Sequence, residues 1–127
     1  MRTMVCFQSA GTGYCMPVEA ARAVRPSNGM VELPDPRADV VGLIPGDPPL
    51  TVISPLGAGR GGQILVVRTG EVTFGLLVDT VSGLRRVDDA GIRVAPQGQD
   101  RALICGTVET DGGMMLVTDV AALWGRL

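Results

Sequence analysis

Apolar residues along this chain alternate with polar ones at a period of two, and short glycine-containing turns interrupt the alternation. Such alternation is typical of half-buried β-strands. Three pairs of alternating segments flank turn sequences, which predicts three hairpins, and further segments predict single strands. The predicted strands cover residues 3–8, 14–18, 30–33, 40–44, 50–54, 63–69, 72–78, 83–87, 102–109 and 114–118. The pattern therefore predicts an all-β barrel or sandwich.

Helical signals are confined to two short segments, residues 19–24 and 119–125. E-A-A-R-A-V in the first can make one or two turns before Pro26, and D-V-A-A-L-W in the second can make another. The stretch G-A-G-R-G-G at residues 57–62 is the loosest part of the chain and is expected to separate two halves of about five strands each. A length of 127 residues with 46% apolar content suits one compact domain.

Charge and hydropathy exclude two classes of partner. Eleven basic residues against 13 carboxylates give a net charge of −2, with no basic stripe for a phosphate backbone, so no nucleic acid is expected. No apolar run approaches the roughly 20 residues that cross a bilayer, and no secretory signal is recognisable, so no membrane insertion is expected. We therefore expect a cytoplasmic protein.

The chain contains no His, and all of its basic residues are Arg. Ser-His-Asp and Cys-His nucleophile systems, Schiff-base lysines and the P-loop cannot be built without those residues. The three cysteines, Cys6, Cys15 and Cys105, lack metal-site spacing and are expected to be small buried hydrophobes. No catalytic residue, metal or cofactor is predicted.

Two aspartates end apolar strands, Asp79 in T-F-G-L-L-V-D-T-V-S-G-L (residues 73–84) and Asp119 in M-M-L-V-T-D-V-A-A-L (residues 114–123). A short side-chain oxygen after a strand can accept from backbone N–H groups that follow it. We predict a turn at Asp79 and a helix cap at Asp119. The alternative, a catalytic or metal-binding pair, requires that the two carboxylates converge in space.

Five blocks along the chain together resemble the CheW-like family. They are Y-C-M-P-V-E-A-A-R-A-V (residues 14–24), V-V-G-L-I (40–44), L-T-V-I-S (50–54), V-T-F-G-L-L-V-D-T-V-S-G-L (72–84) and G-T-V-E-T-D-G-G-M-M-L-V-T-D (106–119). The resemblance implies a single CheW-like domain over residues 1–127, built from two intertwined, five-stranded SH3-like barrels, the second roughly at residues 63–118. It also implies a non-enzymatic adaptor that joins a chemoreceptor-like protein to a CheA-type histidine kinase.

The receptor-binding positions that the resemblance implies are Val18, Ala21, Ala23, Gly42 and Leu84. In the adaptors that this chain resembles, such positions line the groove between the two barrels. Apolar residues on half-buried strands also fill cores, and a glycine within a strand also marks a bulge or a close backbone approach. Both interpretations stay open at this point.

The chain departs from the family pattern in the loop at residues 45–49. P-G-D-P-P stands where adaptors usually carry N-L-R-G, so the characteristic arginine is absent, and Ser54-Pro55 replaces a common Asp-Leu pair. These departures favour a divergent adaptor. The alternatives are a ligand-binding or enzymatic barrel that uses Asp79 and Asp119, and a homo-oligomer formed through exposed strand edges.

Overall fold

Strands make up most of the chain in the computed structural model, which describes residues 1–33, 40–58, 61–94, 103–110 and 112–125. The all-β prediction is confirmed. The strands are β1 (Arg2–Ser9), β2 (Thr12–Pro17), β3 (Ala21–Pro26), β4 (Val31–Glu32), β5 (Val40–Ile44), β6 (Leu50–Ile53), β7 (Gln63–Thr69), β8 (Val72–Val78), β9 (Thr80–Val87), β10 (Ile92–Arg93), β11 (Ile104–Thr110) and β12 (Gly113–Thr118), and one helix, α1 (Val120–Gly125), follows them.

The strands form two six-stranded sheets. The first sheet has the order β10-β11-β12-β2-β1-β9, and the second has the order β3-β7-β8-β6-β5-β4. Each sheet consists of five strands of four to eight residues and one strand of two residues. The two-residue strands β4 and β10 occupy one outer position of each sheet.

The two halves of the chain repeat the same series of elements. A hairpin, a strand, a two-residue strand and a second hairpin make up β1–β6, and the same series makes up β7–β12. Each leading hairpin, however, joins the sheet of the other half: β2 pairs in parallel with β12, and β8 pairs in parallel with β6. Residue 63 thus begins the second repeat, and its first two strands, β7 and β8, complete the second sheet.

The prediction of a helix at residues 19–24 is wrong for all but the first two of these residues. Val18–Ala20 form a single 3-10 turn, and Ala21–Pro26 form β3, which pairs antiparallel with β7. The alanines favour a helix locally, but pairing with the edge of β7 satisfies the backbone over six residues and overrides that preference.

The second helical prediction is confirmed, since α1 occupies Val120–Gly125. The Ala122 N–H donates to Asp119 Oδ1 at 3.2 Å, which is the predicted capping bond. Leu123 is fully buried, and Trp124 stacks on Phe74 with ring centroids 5.3 Å apart. The helix therefore packs its apolar face against the body of the protein.

The buried apolar side chains form one large cluster between the sheets and a smaller cluster within each sheet. The large cluster includes Phe7, Leu65 and Phe74, so both exchanged hairpins contribute to it. Within the described residues, no helix is long and apolar enough to cross a membrane.

The prediction of three buried cysteines holds for two of them. Cys6 and Cys15 are buried and lie opposite each other on β1 and β2. Cys105 is exposed, because the pairing of β11 with β12 shifts register between Ile104 and Gly106, and this bulge places Cys105 outside the regular alternation.

Candidate functional site

An apolar groove of about 240 Å³ lies between the outermost strand of each sheet, β3 on one side and β9 on the other. We call it the groove. Its position follows from the topology, because β3 and β9 are edge strands whose inner neighbours, β7 and β1, both contribute side chains to the shared core. It is lined by Val5, Val18, Ala21, Arg22, Ala23, Val24, Leu65, Val81, Gly83 and Leu84.

Equivalent positions of the two repeats line the groove in pairs. Val5 on β1 pairs with Leu84 on β9, and Leu65 on β7 pairs with Val24 on β3. A second set of equivalent pairs follows the same registers: Ala21 on β3 pairs with Val67 on β7, and Val81 on β9 pairs with Phe7 on β1. The groove therefore has a floor of two buried residues from the exchanged hairpins and a rim from the two edge strands.

The rim of the groove exposes large apolar side chains to solvent. Leu84 is 67% exposed and Val24 is 47% exposed, whereas the floor residues Val5 and Leu65 are buried. Single exposed apolar residues are common on protein surfaces, but a concave group with an apolar floor is typical of a binding surface. Arg22 is the one charged side chain among the residues that line it.

The structure brings four of the five predicted site residues together. Val18, Ala21, Ala23 and Leu84 all line the groove, although Val18 and Ala21 also pack partly against the large core cluster. Leu84 does not fill the core, which was the alternative interpretation of its apolar character.

Gly42 does not line the groove. It is buried in β5 next to a register shift, and a Cβ at this position would lie 2.6 Å from the Val31 carbonyl oxygen. Gly106 in β11 holds the equivalent position, where a Cβ would lie 2.7 Å from the Arg93 carbonyl oxygen. The close backbone approach that a glycine within a strand can indicate is therefore present here.

Sequence reasoning missed the other six residues that line the groove, Val5, Arg22, Val24, Leu65, Val81 and Gly83. Val24 was missed because its segment was predicted to be helical, which hid the alternation of β3. The strand pairing shows that A-V at residues 23–24 and G-L at residues 83–84 hold equivalent registers in the two repeats, which the sequence alone did not indicate.

Asp79 connects three separate segments of the chain. Its Oδ2 accepts from the Ala10 N–H at 2.9 Å, and its Oδ1 accepts from the Gly61 N–H at 2.8 Å. Its own N–H donates to the Gln8 carbonyl at 3.0 Å, and nearby the Ser9 hydroxyl donates to the Gly57 carbonyl. The carboxylate thus holds the β1–β2 turn and residue 61 beside the β8–β9 junction, whereas the sequence predicted only a local turn.

The alternative of an aspartate pair finds no support in these contacts. Asp119 caps its own helix, while Asp79 binds the backbone of two other segments. Among the described residues, no group of three or more Cys, Asp and Glu side chains could hold a metal ion. Both aspartates therefore have a structural role in the contacts observed.

Comparison with known proteins gives a consistent assignment. The model of the CheW-like domain family matches residues 50–126, which is more than half of the chain. The crystal structure of the scaffolding protein TtCheW from Thermoanaerobacter tengcongensis superposes with a TM-score of 0.81 at 21% identity, covering 94% of this chain and 84% of that one. No match was found among curated proteins. The structural likeness confirms the predicted CheW-type, SH3-like fold.

Proposed function

This chain belongs to the CheW-like domain family, and we propose that it couples a chemoreceptor-like sensor to a CheA-type histidine kinase in the cytoplasm. The family consists of non-enzymatic adaptors, which act through protein–protein contacts. An adaptor needs surface shape and apolar contact and has no need of a proton shuttle, which agrees with a chain that lacks His and Lys. The observation that carries the proposal is the groove.

The groove has the chemistry of a docking site for apolar side chains. Its rim residues Leu84 and Val24 stand exposed above the buried floor, so a partner that inserts apolar side chains would remove both from water. Burial of apolar area contributes about 25 cal/mol per Å², and truncation of a central anchor commonly costs about 2 kcal/mol or more. We assign the receptor-type contact to this surface, with Val18, Ala21 and Ala23 on the β3 side and Leu84 on the β9 side.

The departure from the family pattern at residues 45–49 affects another part of the surface. That loop joins β5 to β6 and is exposed, and none of its residues lines the groove. The absent arginine therefore leaves the apolar surface intact. We propose that the partner of this adaptor is recognised through the groove without the charge that other members supply from the loop.

The test is co-sedimentation of the purified protein with membranes that carry the chemoreceptors of its own organism, in the presence and absence of the CheA-type kinase. Leu84→Arg places a charge on the groove rim, and we expect it to lower the retained fraction by about tenfold or more. Met114→Arg is the matched control, because Met114 is 55% exposed on β12 and does not line the groove. Circular dichroism establishes that both variants are folded.

Retention of wild type and Met114→Arg, with loss of Leu84→Arg, would support the proposal. Equal retention of all three would show that the groove is not the interface. No retention of the wild type with either partner would contradict coupling. Sedimentation velocity of the wild type and of Leu84→Arg then measures whether a second copy of the chain occupies the groove instead.

A further inference from the structure

A second cavity, of about 400 Å³, lies in the first sheet and shares no lining residue with the groove. It is lined by the end of β9, the turn that follows, β10 and the end of β11. Because β9 and β10 are the outermost strands of this sheet, the cavity marks the place where the two edges of the sheet approach each other. We call it the arginine seam, after Arg85, Arg86 and Arg93, which line it.

Among the described residues, none of the three arginines of the seam forms an ion pair. The ion pair found in this part of the chain joins Arg2 to Asp89 at 3.4 Å and involves none of the three. Asp88, which also lines the seam, accepts from the Ala90 N–H at 3.1 Å and so caps the turn. With Glu109 as the other carboxylate of the lining, cations outnumber anions in the seam of a protein whose net charge is −2.

The fold itself does not require two of the three arginines, Arg86 and Arg93. The internal repeat supplies the comparison, because the equivalent positions in the second sheet carry Pro26 in place of Arg86 and Val31 in place of Arg93. Both sheets have the same pairing at these positions with different side chains. At these two positions the positive charge is thus specific to the first sheet, whereas Arg85 has an arginine, Arg25, as its equivalent in the second sheet.

The end of β9 also offers an unoccupied strand edge. In the described structure β9 pairs with β1 alone, and the Val81 N–H near its start donates to Gln63 Oε1 at 2.6 Å. Arg85 and Arg86 are successive residues, so their side chains leave opposite faces of the strand and flank its edge. An extended segment beside β9 would meet guanidinium groups on both faces.

We propose that the arginine seam binds an extended acidic segment of a partner protein, with carboxylates of the segment on Arg85, Arg86 and Arg93. Guanidinium groups bind carboxylates through paired, charge-assisted hydrogen bonds, and the excess of cations in the lining favours an anionic occupant. This surface differs from the groove in position and in chemistry, so it provides a second contact.

The test is fluorescence anisotropy with a labelled peptide in which Glu alternates with Thr, and with the same peptide in which Gln replaces Glu. We expect the acidic peptide alone to bind the wild type, with an affinity that falls as salt rises. The double variant Arg85→Gln/Arg93→Gln should weaken binding by about tenfold or more. Arg25→Gln is the matched control, because Arg25 holds the position in β3 that Arg85 holds in β9.

Glutamine keeps much of the arginine stem, and circular dichroism of each variant verifies the fold. Loss of binding in the double variant alone would support the proposal. The proposal would be overturned if the acidic peptide did not bind at low salt, or if Arg25→Gln lost as much binding as the double variant. It would also be overturned if inorganic phosphate, at a concentration that carries the same total charge as the peptide, displaced the peptide completely, because that would indicate general attraction of anions.

Discussion

Replacement of Gly42 by alanine separates its two interpretations, a partner-binding residue and a point of close backbone approach. The added Cβ would lie 2.6 Å from the Val31 carbonyl oxygen and 2.8 Å from Met30 Cγ. Ordinary contacts of a Cβ begin at about 3.4 Å, so the methyl group overlaps a backbone atom that cannot rotate away. Relief requires that β4 move off β5, and the two-residue β4 is held by the pairs Val31 with Leu43 and Glu32 with Gly42.

Overpacking of this kind costs about 1–3 kcal/mol. For a chain of 127 residues, a loss of 1 kcal/mol lowers Tm by about 4 °C, so we expect Gly42→Ala to melt about 4–12 °C below wild type. Gly106→Ala should behave alike, because its Cβ would lie 2.7 Å from the Arg93 carbonyl oxygen. Gly29→Ala is the control, since nothing lies within 4 Å of a Cβ there.

Thermal unfolding followed by circular dichroism measures the three variants, and co-sedimentation with receptor membranes below their melting temperatures measures binding. We expect both strand variants to lose stability and to keep binding while folded. A Gly42→Ala protein with the Tm of wild type would refute the steric argument. If that protein also lost binding, Gly42 would belong to the partner surface, as the family resemblance implies.

The remaining predictions concern Asp79 and the cysteines. Asp79→Asn should lower the free energy of unfolding by about 1–3 kcal/mol, because an NH2 group replaces one of the two carboxylate oxygens that accept backbone N–H groups. Asp119→Asn is the control, since Asn caps helices as well as Asp does. Equal melting temperatures of the two variants would contradict the connecting role of Asp79. Burial raises the pKa of Cys15 to about 12, so its thiol stays protonated at neutral pH. Burial also raises the pKa of the Cys105 thiol, but this thiol is exposed, so iodoacetamide should label it long before Cys15 in the native protein, as judged by mass spectrometry. Equal labelling would show that the first sheet opens readily.

Much of the fold could be predicted from the sequence, because the apolar alternation and the turn glycines are local signals. The three predicted hairpins are present as β1–β2, β7–β8 and β11–β12. The prediction of a helix at residues 19–24 failed because β3 forms by pairing with β7, about 40 residues away along the chain, and no local pattern contains that contact. The exchange of hairpins escaped prediction for the same reason, since alternation tells which residues face a core but not which sheet they join.

The candidate site was predictable in part. Val18, Ala21, Ala23 and Leu84 were named through the family resemblance and line one groove, whereas composition and periodicity could not distinguish their groove positions from core positions. The roles of Gly42 and Asp79 depend on atoms of distant segments, the Val31 carbonyl and the Gly61 N–H, so geometry was needed to identify them.

The exchange of hairpins also explains how the groove is formed. Its rim residues Val24 and Leu84 belong to the edge strands of the first and second repeat, and each pairs with a floor residue from the other repeat, Leu65 and Val5 respectively. Each side of the groove therefore requires strands from both repeats, and the two sides lie next to each other because the exchanged hairpins share one core. A half chain would lack the partner strand of its own edge. The groove is consequently a property of the complete, interlocked pair of sheets, and a partner that binds it recognises the folded chain as a whole.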